Sequence, residues 1–164
     1  MKIYSLMPIV DEGSRFLILG TAPSEMSLKK RQYYANPRNQ FWAILEGVYD
    51  EHAGQEYQDR IAFLKSKYIA LWDVLESCER ISSADNQITN PVPNDFAQLL
   101  AHHPSLKLIL FNGKKAEAYF NKLVKESQSL GSLVGFKVLP STSPQNRRAR
   151  QSKITEWKAA FLWT

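Results

Sequence analysis

Two segments of the 164-residue chain concentrate groups that can do chemistry. Residues 20–40 read GTAPSEMSLKKRQYYANPRNQ, and residues 140–150 read PSTSPQNRRAR. The first combines amides, hydroxyls and aromatic rings. The second places three hydroxyls and a Pro-bounded turn ahead of three arginines. Ser/Thr and Arg side chains beside a helix N-terminus form a phosphate-contact set. Several reaction types lack their signatures: no Walker A sequence, GxGxxG, GxSxG elbow, HExxH or acidic Gly loop occurs. His52, His102 and His103 lie away from both segments and read as surface or loop histidines. Asp73 is the one carboxylate expected at a strand end. Amides, hydroxyls, backbone donors and at most that one carboxylate suit a bond whose substrate does much of the work. An N-glycosidic bond is one: it breaks through an oxocarbenium-like state. The protein need only hold the base, stabilise its departing charge and place a water.

These segments need elements to position them. Four apolar runs, Phe16–Leu19, Tyr68–Trp72, Leu106–Phe111 and Phe136–Leu139, each end abruptly in polar, Gly or Pro residues, as buried strands do. Helical patterns lie between and after them. They span Asn39–Val48, Gln55–Lys67, Asn94–His102, Gly113–Ser127 and about Arg148–Phe161. Alternating strands and helices predict an α/β fold. It is a three-layer α/β/α sandwich with a central four-stranded, mostly parallel sheet, in a single domain over residues 1–164. Sites in such folds lie beyond the strands' carboxyl ends. That rule selects residues 20–40, 72–91, 112–115 and 140–150. Residues 20–40 read as one long loop, whose length and aromatic content point to function.

The bulk properties are consistent with this. The net charge is +5 and 44% of residues are hydrophobic, too apolar for a disordered chain. The lone Cys78 excludes an intrachain disulfide and a Cys-rich zinc site. No run has the length of a membrane span, and the N-terminus lacks a signal-peptide core. Residues 137–158 carry Lys137, Arg147, Arg148, Arg150, Lys153 and Lys158 against Glu156 alone. Their surplus equals that of the whole chain. It fits a phosphate-bearing partner approaching from one side, or a solvated basic helix face.

Gly20–Pro23, the YYANPRNQFW stretch of Tyr33–Trp42, Leu71–Val74, Phe111-Asn112-Gly113 and the LPSTSP of Leu139–Pro144 follow one another in that order. Together they resemble the uracil-DNA glycosylase superfamily, most closely its hypoxanthine-DNA glycosylase branch, over nearly the whole chain. The resemblance implies a monofunctional, metal-free and cofactor-free glycosylase that excises deaminated bases from DNA in base-excision repair. The water-activating Asp of the uracil-specific branch is replaced by Ala22, and the His that opens its second motif by Leu139. Ser24 stands where the hypoxanthine branch usually has Gly. Hypoxanthine is therefore expected ahead of uracil or xanthine.

The resemblance also implies roles. Asn39 positions or activates the attacking water, with helix capping as an alternative or additional role. Asn112 hydrogen-bonds the extruded base, with a tight strand-to-helix turn as the alternative. Phe41 stacks on the base, or packs in the helix core. Thr21, Ala22, Tyr34 and Asn36 surround the base, with Asp73 a second candidate for contact. Pro23, Ser24, Ser27, Ser141, Thr142 and Ser143 approach the phosphates, while Arg147 and Arg148 add a sequence-independent attraction. Lys114 and Lys115 read as phosphate or surface lysines, so no lyase step is expected. The expected partner is DNA containing deaminated bases, met by a cytoplasmic, nucleoid-associated monomer with no membrane contact. The competing classes are a non-catalytic damaged-DNA-binding module and a small-molecule nucleosidase. The C-terminal arginines argue against the latter.

Overall fold

The computed structural model describes residues 1–82, 87–131 and 133–162. The four apolar runs form strands β2 (Phe16–Gly20), β3 (Ile69–Asp73), β6 (Leu108–Asn112) and β7 (Gly135–Leu139). They make one parallel sheet in the order β3-β2-β6-β7. The segments FLILG, IALWD and LILFN are apolar nearly throughout because both faces of the sheet are covered along them. Ile18, Leu71 and Leu110 pack on one side against Phe41, Ile44, Leu45 and Trp157. Leu17, Leu19, Ile109 and Phe111 pack on the other against Phe96, Leu99, Ala116 and Phe120. The first side is built by helices α2 (Phe41–Tyr49), α3 (Tyr57–Ser66) and α6 (Arg150–Phe161), the second by α4 (Phe96–His102) and α5 (Lys114–Phe120). A π-helical turn, Asn121–Lys125, continues α5 in place of the longer α-helix expected there.

Two expectations need correction. Residues 20–40 are not one loop. They contain helix α1 (Glu25–Lys30), whose N-cap Ser24 accepts the Ser27 N–H through its side chain. Residues 72–91 are not simply a site segment. They supply β4 (Leu75–Glu79) and β5 (Thr89–Pro93), which join β1 (Lys2–Tyr4) in an antiparallel sheet ordered β1-β4-β5. β5 carries Pro91 and Pro93, which suit its edge position and hide its strand pattern. Residues 83–86 of that segment lie outside the described residues.

Phe41 anchors the first core. It is fully buried, edge-on to Trp42 and Trp157, and stacked beneath Tyr34 with ring centroids 3.9 Å apart. No face of the ring is left for a base, so the expected stacking position is corrected to a packing one. Phe41→Ala should lower unfolding stability by about 3–5 kcal/mol in urea denaturation. A ring serving only to stack on a ligand would lose little.

Candidate active site

The sheet register brings the strand ends level. Gly20 pairs with Asp73 across β2 and β3, and Asn112 with Leu139 across β6 and β7. Above them lies a cavity of about 430 Å³. Thr21, Ala22, Pro23, Ser24, Ser27, Tyr34, Asn36, Asn39, Asp73, Asn112, Ser141, Thr142 and Ser143 all line it, whereas Phe41, Arg147 and Arg148 do not. Tyr33, Pro144 and Gln145 line it as well, and sequence reasoning had not placed Pro144 or Gln145 there.

At its centre, two carboxamides are oriented by backbone donors. The Thr142 N–H donates to Asn112 Oδ1 at 2.9 Å, which fixes the other atom as Nδ2. That Nδ2 donates to Tyr34 OH at 3.1 Å and to Thr142 Oγ1 at 2.9 Å. Both Asn112 N–H bonds are thereby engaged within the protein. The Phe41 N–H likewise donates to Asn39 Oδ1 at 3.0 Å, identifying that atom as the oxygen. Thr142 Oγ1 donates to the same oxygen at 2.7 Å. Two donors fill the two lone pairs of Asn39 Oδ1. Its Nδ2 has no protein partner among the described residues. Asn39 thus holds the start of α2 and, where it lines the cavity, has only its donor nitrogen left unengaged among the described residues. An acceptor for an attacking water, the role the resemblance implies, is not free in this geometry.

Tyr34, unlike Phe41, lines the cavity. Its backbone lies in the left-handed region at φ 53°, strained for a bulky residue. The stack on Phe41 and the bond from Asn112 hold it there. Burial, then the nearby Asp73 charge, raises its phenol pKa well above the ordinary value, so the ring stays neutral. Asp73 is buried at the cavity floor, where Asn94 Nδ2 donates to its backbone carbonyl at 2.8 Å. A Cβ on residue 20 would sit 2.8 Å from Asp73 Oδ1 and 3.4 Å from Tyr34 OH, so glycine lets these groups converge. Gly113, at φ 97°, makes the same allowance for Ser141, which a Cβ would meet at 3.0 Å.

The hydroxyls divide into two groups. Ser141 and Ser143 are half-buried, and each accepts a local backbone N–H, from Ser143 and Gln145 respectively, leaving its own proton to donate. Thr142 is fully buried, and its hydroxyl is engaged between Asn39 and Asn112. It cannot reach a phosphate through that group, which corrects the expectation. Ser27 is also buried; it receives the Ala35 N–H and the Ser24 O–H, bracing the loop rather than reaching outward. Asn36 accepts the Arg38 N–H in the turn before Asn39.

A second hollow of about 400 Å³ shares Asn39 and Pro144 with the cavity and is lined by Arg38, Arg147, Arg148 and Arg150. Arg148 is held by Glu156 at 2.5 Å and donates to Ser152 Oγ at 2.8 Å. Its hydrogen bond holds the Glu156 carboxyl below the usual range. Lys153 does not belong to the surface patch. It is fully buried, and its Nζ donates to Gln40 Oε1 at 3.0 Å and to the Asn146 carbonyl at 2.8 Å. Desolvation, with Arg148 and Arg150 nearby, lowers its pKa. Buried Arg80 donates to the Pro23 carbonyl and so supports the Gly20–Pro23 turn from behind. Neither side chain carried a sequence signal beyond its charge.

Known proteins bear on this geometry. The Uracil DNA glycosylase superfamily profile matches residues 7–164. A Hypoxanthine DNA glycosylase from Methanosarcina barkeri is 37% identical over 98% of this chain and 99% of its own length. Another from Methanosarcina acetivorans is 39% identical over 93% of this chain and 94% of its own. A solution NMR structure from Methanosarcina acetivorans, described as a candidate uracil DNA glycosylase, superposes with a TM-score of 0.82 at 37% identity. It matches 98% of this chain and 97% of its own. With a match from residue 7 to residue 164 and relatives of this identity at nearly full length, the chain belongs to the Uracil DNA glycosylase superfamily.

Proposed function

We propose that the protein is a monofunctional DNA glycosylase of base-excision repair that hydrolyses the N-glycosidic bond of a flipped deaminated base. Hypoxanthine is the first substrate, with uracil and xanthine behind it. The observation that carries this reading is the donor-only face of Asn39 at a base-sized cavity, in a chain whose relatives are hypoxanthine DNA glycosylases. As the bond breaks, its electrons move to the base and leave an oxocarbenium ion on the sugar. Asn39 Nδ2 donates to a ring nitrogen or exocyclic oxygen of the departing base and spreads its negative charge. Water then adds to C1′, and its proton ends on the base through solvent. An oxocarbenium ion is electrophilic enough to take an unactivated water, so the replacement of an Asp by Ala22 is tolerated. No lysine among the described residues lines the cavity, which supports reading the reaction as hydrolysis without a lyase step.

Base selection follows from the same groups. Deamination turns an amino donor into a carbonyl acceptor and an adjacent ring acceptor into an N–H donor. Asn39 offers a donor and Asp73 an acceptor, which match the deaminated edge and mismatch adenine. Thr21, Ala22 and Asn36 wall the base, and Tyr34 stacks on it with Phe41 behind. Asn112 orients Tyr34 and Thr142 and touches the base only through its remaining oxygen lone pair. Pro23 and Ser24 bring backbone close to the nucleotide, Ser141 and Ser143 donate to its phosphates, and Arg147 and Arg148 extend the contact. The protein meets this DNA as a cytoplasmic, nucleoid-associated monomer.

Duplexes containing one deoxyinosine, deoxyuridine or deoxyxanthosine should each be tested for base release, with deoxyinosine fastest. Binding to damaged duplex without release on any of them would replace the enzyme reading by a binding module. Asn39→Asp retains both local bonds through one oxygen but turns an acceptor toward the base. Single-turnover release should fall by roughly 10²–10³-fold, with far less change in duplex affinity; a water-activating Asn39 would tolerate Asp. Arg147→Gln should reduce the slope of log affinity against log salt by about 1. Arg148→Gln should reduce it less, because Glu156 already engages that guanidinium.

A further inference from the structure

We propose that Thr142 is a positioning residue for the reaction: its hydroxyl relays one directed chain of hydrogen bonds from Asn112 to Asn39 and holds Asn39 with its donors toward the base. This rests on the glycosylase reading above. The direction of the chain follows from the backbone alone. Asn112 Oδ1 is fixed by the Thr142 N–H, so the atom 2.9 Å from Thr142 Oγ1 is a donor nitrogen. Asn39 Oδ1 is fixed by the Phe41 N–H, so the atom 2.7 Å from Thr142 Oγ1 on the other side is an acceptor. A hydroxyl has one proton, and with a donor on one side and an acceptor on the other only one orientation satisfies both.

This arrangement has two chemical consequences. A hydroxyl that accepts one hydrogen bond donates a stronger second one, and the polarisation continues along the chain. The Asn39 carbonyl is drawn toward Thr142, which strengthens its N–H groups as donors to a developing anion. The chain also prevents Asn39 from flipping, since a flip would face Nδ2 against both the Phe41 N–H and the Thr142 O–H. Thr142 itself is held from several directions. It is fully buried, its carbonyl takes the Gln40 N–H at 3.0 Å, and Trp157 Nε1 donates to the carbonyl of nearby Pro140 at 2.9 Å. The loop carrying Thr142 is therefore fixed to the start of α2, where Asn39 sits.

The test compares Thr142→Val, which keeps the shape and removes the hydroxyl, with Thr142→Ser, which keeps the hydroxyl. In the valine variant, single-turnover release of hypoxanthine should fall by about 100-fold, the size expected when a reacting group is displaced by an ångström. Affinity for a duplex carrying a tetrahydrofuran abasic analogue should be retained, and the serine variant should keep most of the rate. Equal losses in both variants, or parallel losses of rate and affinity, would overturn the proposal. A second readout is independent of turnover. The Asn39 and Asn112 side-chain amide resonances should move in the valine variant and hold in the serine variant; unmoved resonances would overturn the relay. In the wild-type protein the Thr142 hydroxyl proton should exchange slowly and show a cross-relaxation peak to the Asn112 side-chain amide. A fast-exchanging proton would overturn the relay even if the valine variant does not fold. A wild-type protein that releases no base would instead overturn the glycosylase reading, while these resonances would still decide the relay.

Discussion

The paired hydrogen bonds between the Asn112 carboxamide and Thr142 are the constraint on which the rest of the site depends. A polar group this enclosed is costly unless it is satisfied, at about 1–3 kcal/mol for each unpaired partner. The loop after β7 must therefore sit where its residue 142 can offer both an N–H and a hydroxyl to the end of β6. Once it sits there, its carbonyl accepts the Gln40 N–H and its hydroxyl donates to Asn39 Oδ1. Three segments far apart in sequence, at residues 34–41, 112 and 140–146, are then fixed relative to one another by a few short bonds. Trp157 and Lys153 apply the same constraint from the helix side. One holds the Pro140 carbonyl, and the other joins Gln40 to the Asn146 carbonyl. The active-site loop is rigid because its polar backbone has been given partners, not because it is wrapped in apolar surface.

The sheet supplies the level on which these bonds form. Parallel strands in register end together, so Gly20, Asp73, Asn112 and Leu139 come into line with no special residue needed to align them. What the sequence adds is a choice of side chain at each end. Gly20 leaves room, Asp73 brings an acceptor, Asn112 organises, and Leu139 is buried and closes the end of β7. Just after β4 stands Arg80, a buried cation whose bond to the Pro23 carbonyl supports the first turn of the site.

The sequence was legible where physics repeats. Three of the four parallel strands stood out because burial on both faces demands unbroken apolar runs. The strand ends, through topology alone, selected the segments that line the cavity. β4 and β5 were not legible: LESCE is short and half polar, TNPVP carries two prolines, and their pairing is set by tertiary contact. Phe41 illustrates a different limit. Helical periodicity and the resemblance each gave it a place, and both places could not be true; the structure chose the core. Tyr34 was the less obvious residue because its left-handed backbone leaves no periodic trace. Thr142 sits between two other hydroxyl residues, and no local pattern separates one that points inward from two that point out. Lys153 was counted with the basic surface because charge is visible in sequence while burial at a single helical position is not.

In the proposed reaction the two hollows divide the work of recognition. Phosphate contacts fix position without reading sequence, so discrimination between bases has to come from the cavity. The arginine hollow is charged, exposed and partly self-neutralised, since Arg148 is committed to Glu156. The cavity, in contrast, is lined by Asn39, Asp73 and Tyr34, which in the proposed reaction supply donors, an acceptor and an aromatic face. Asn39 and Pro144 belong to both hollows, so the group that faces the departing base stands at the border with the groove proposed to hold the backbone. A nucleotide whose phosphates are seated in that groove has little freedom left for its base, and the oriented amide can act without moving. Binding energy gathered at the charged surface is thereby converted into alignment at the bond that breaks, which is where it accelerates the reaction.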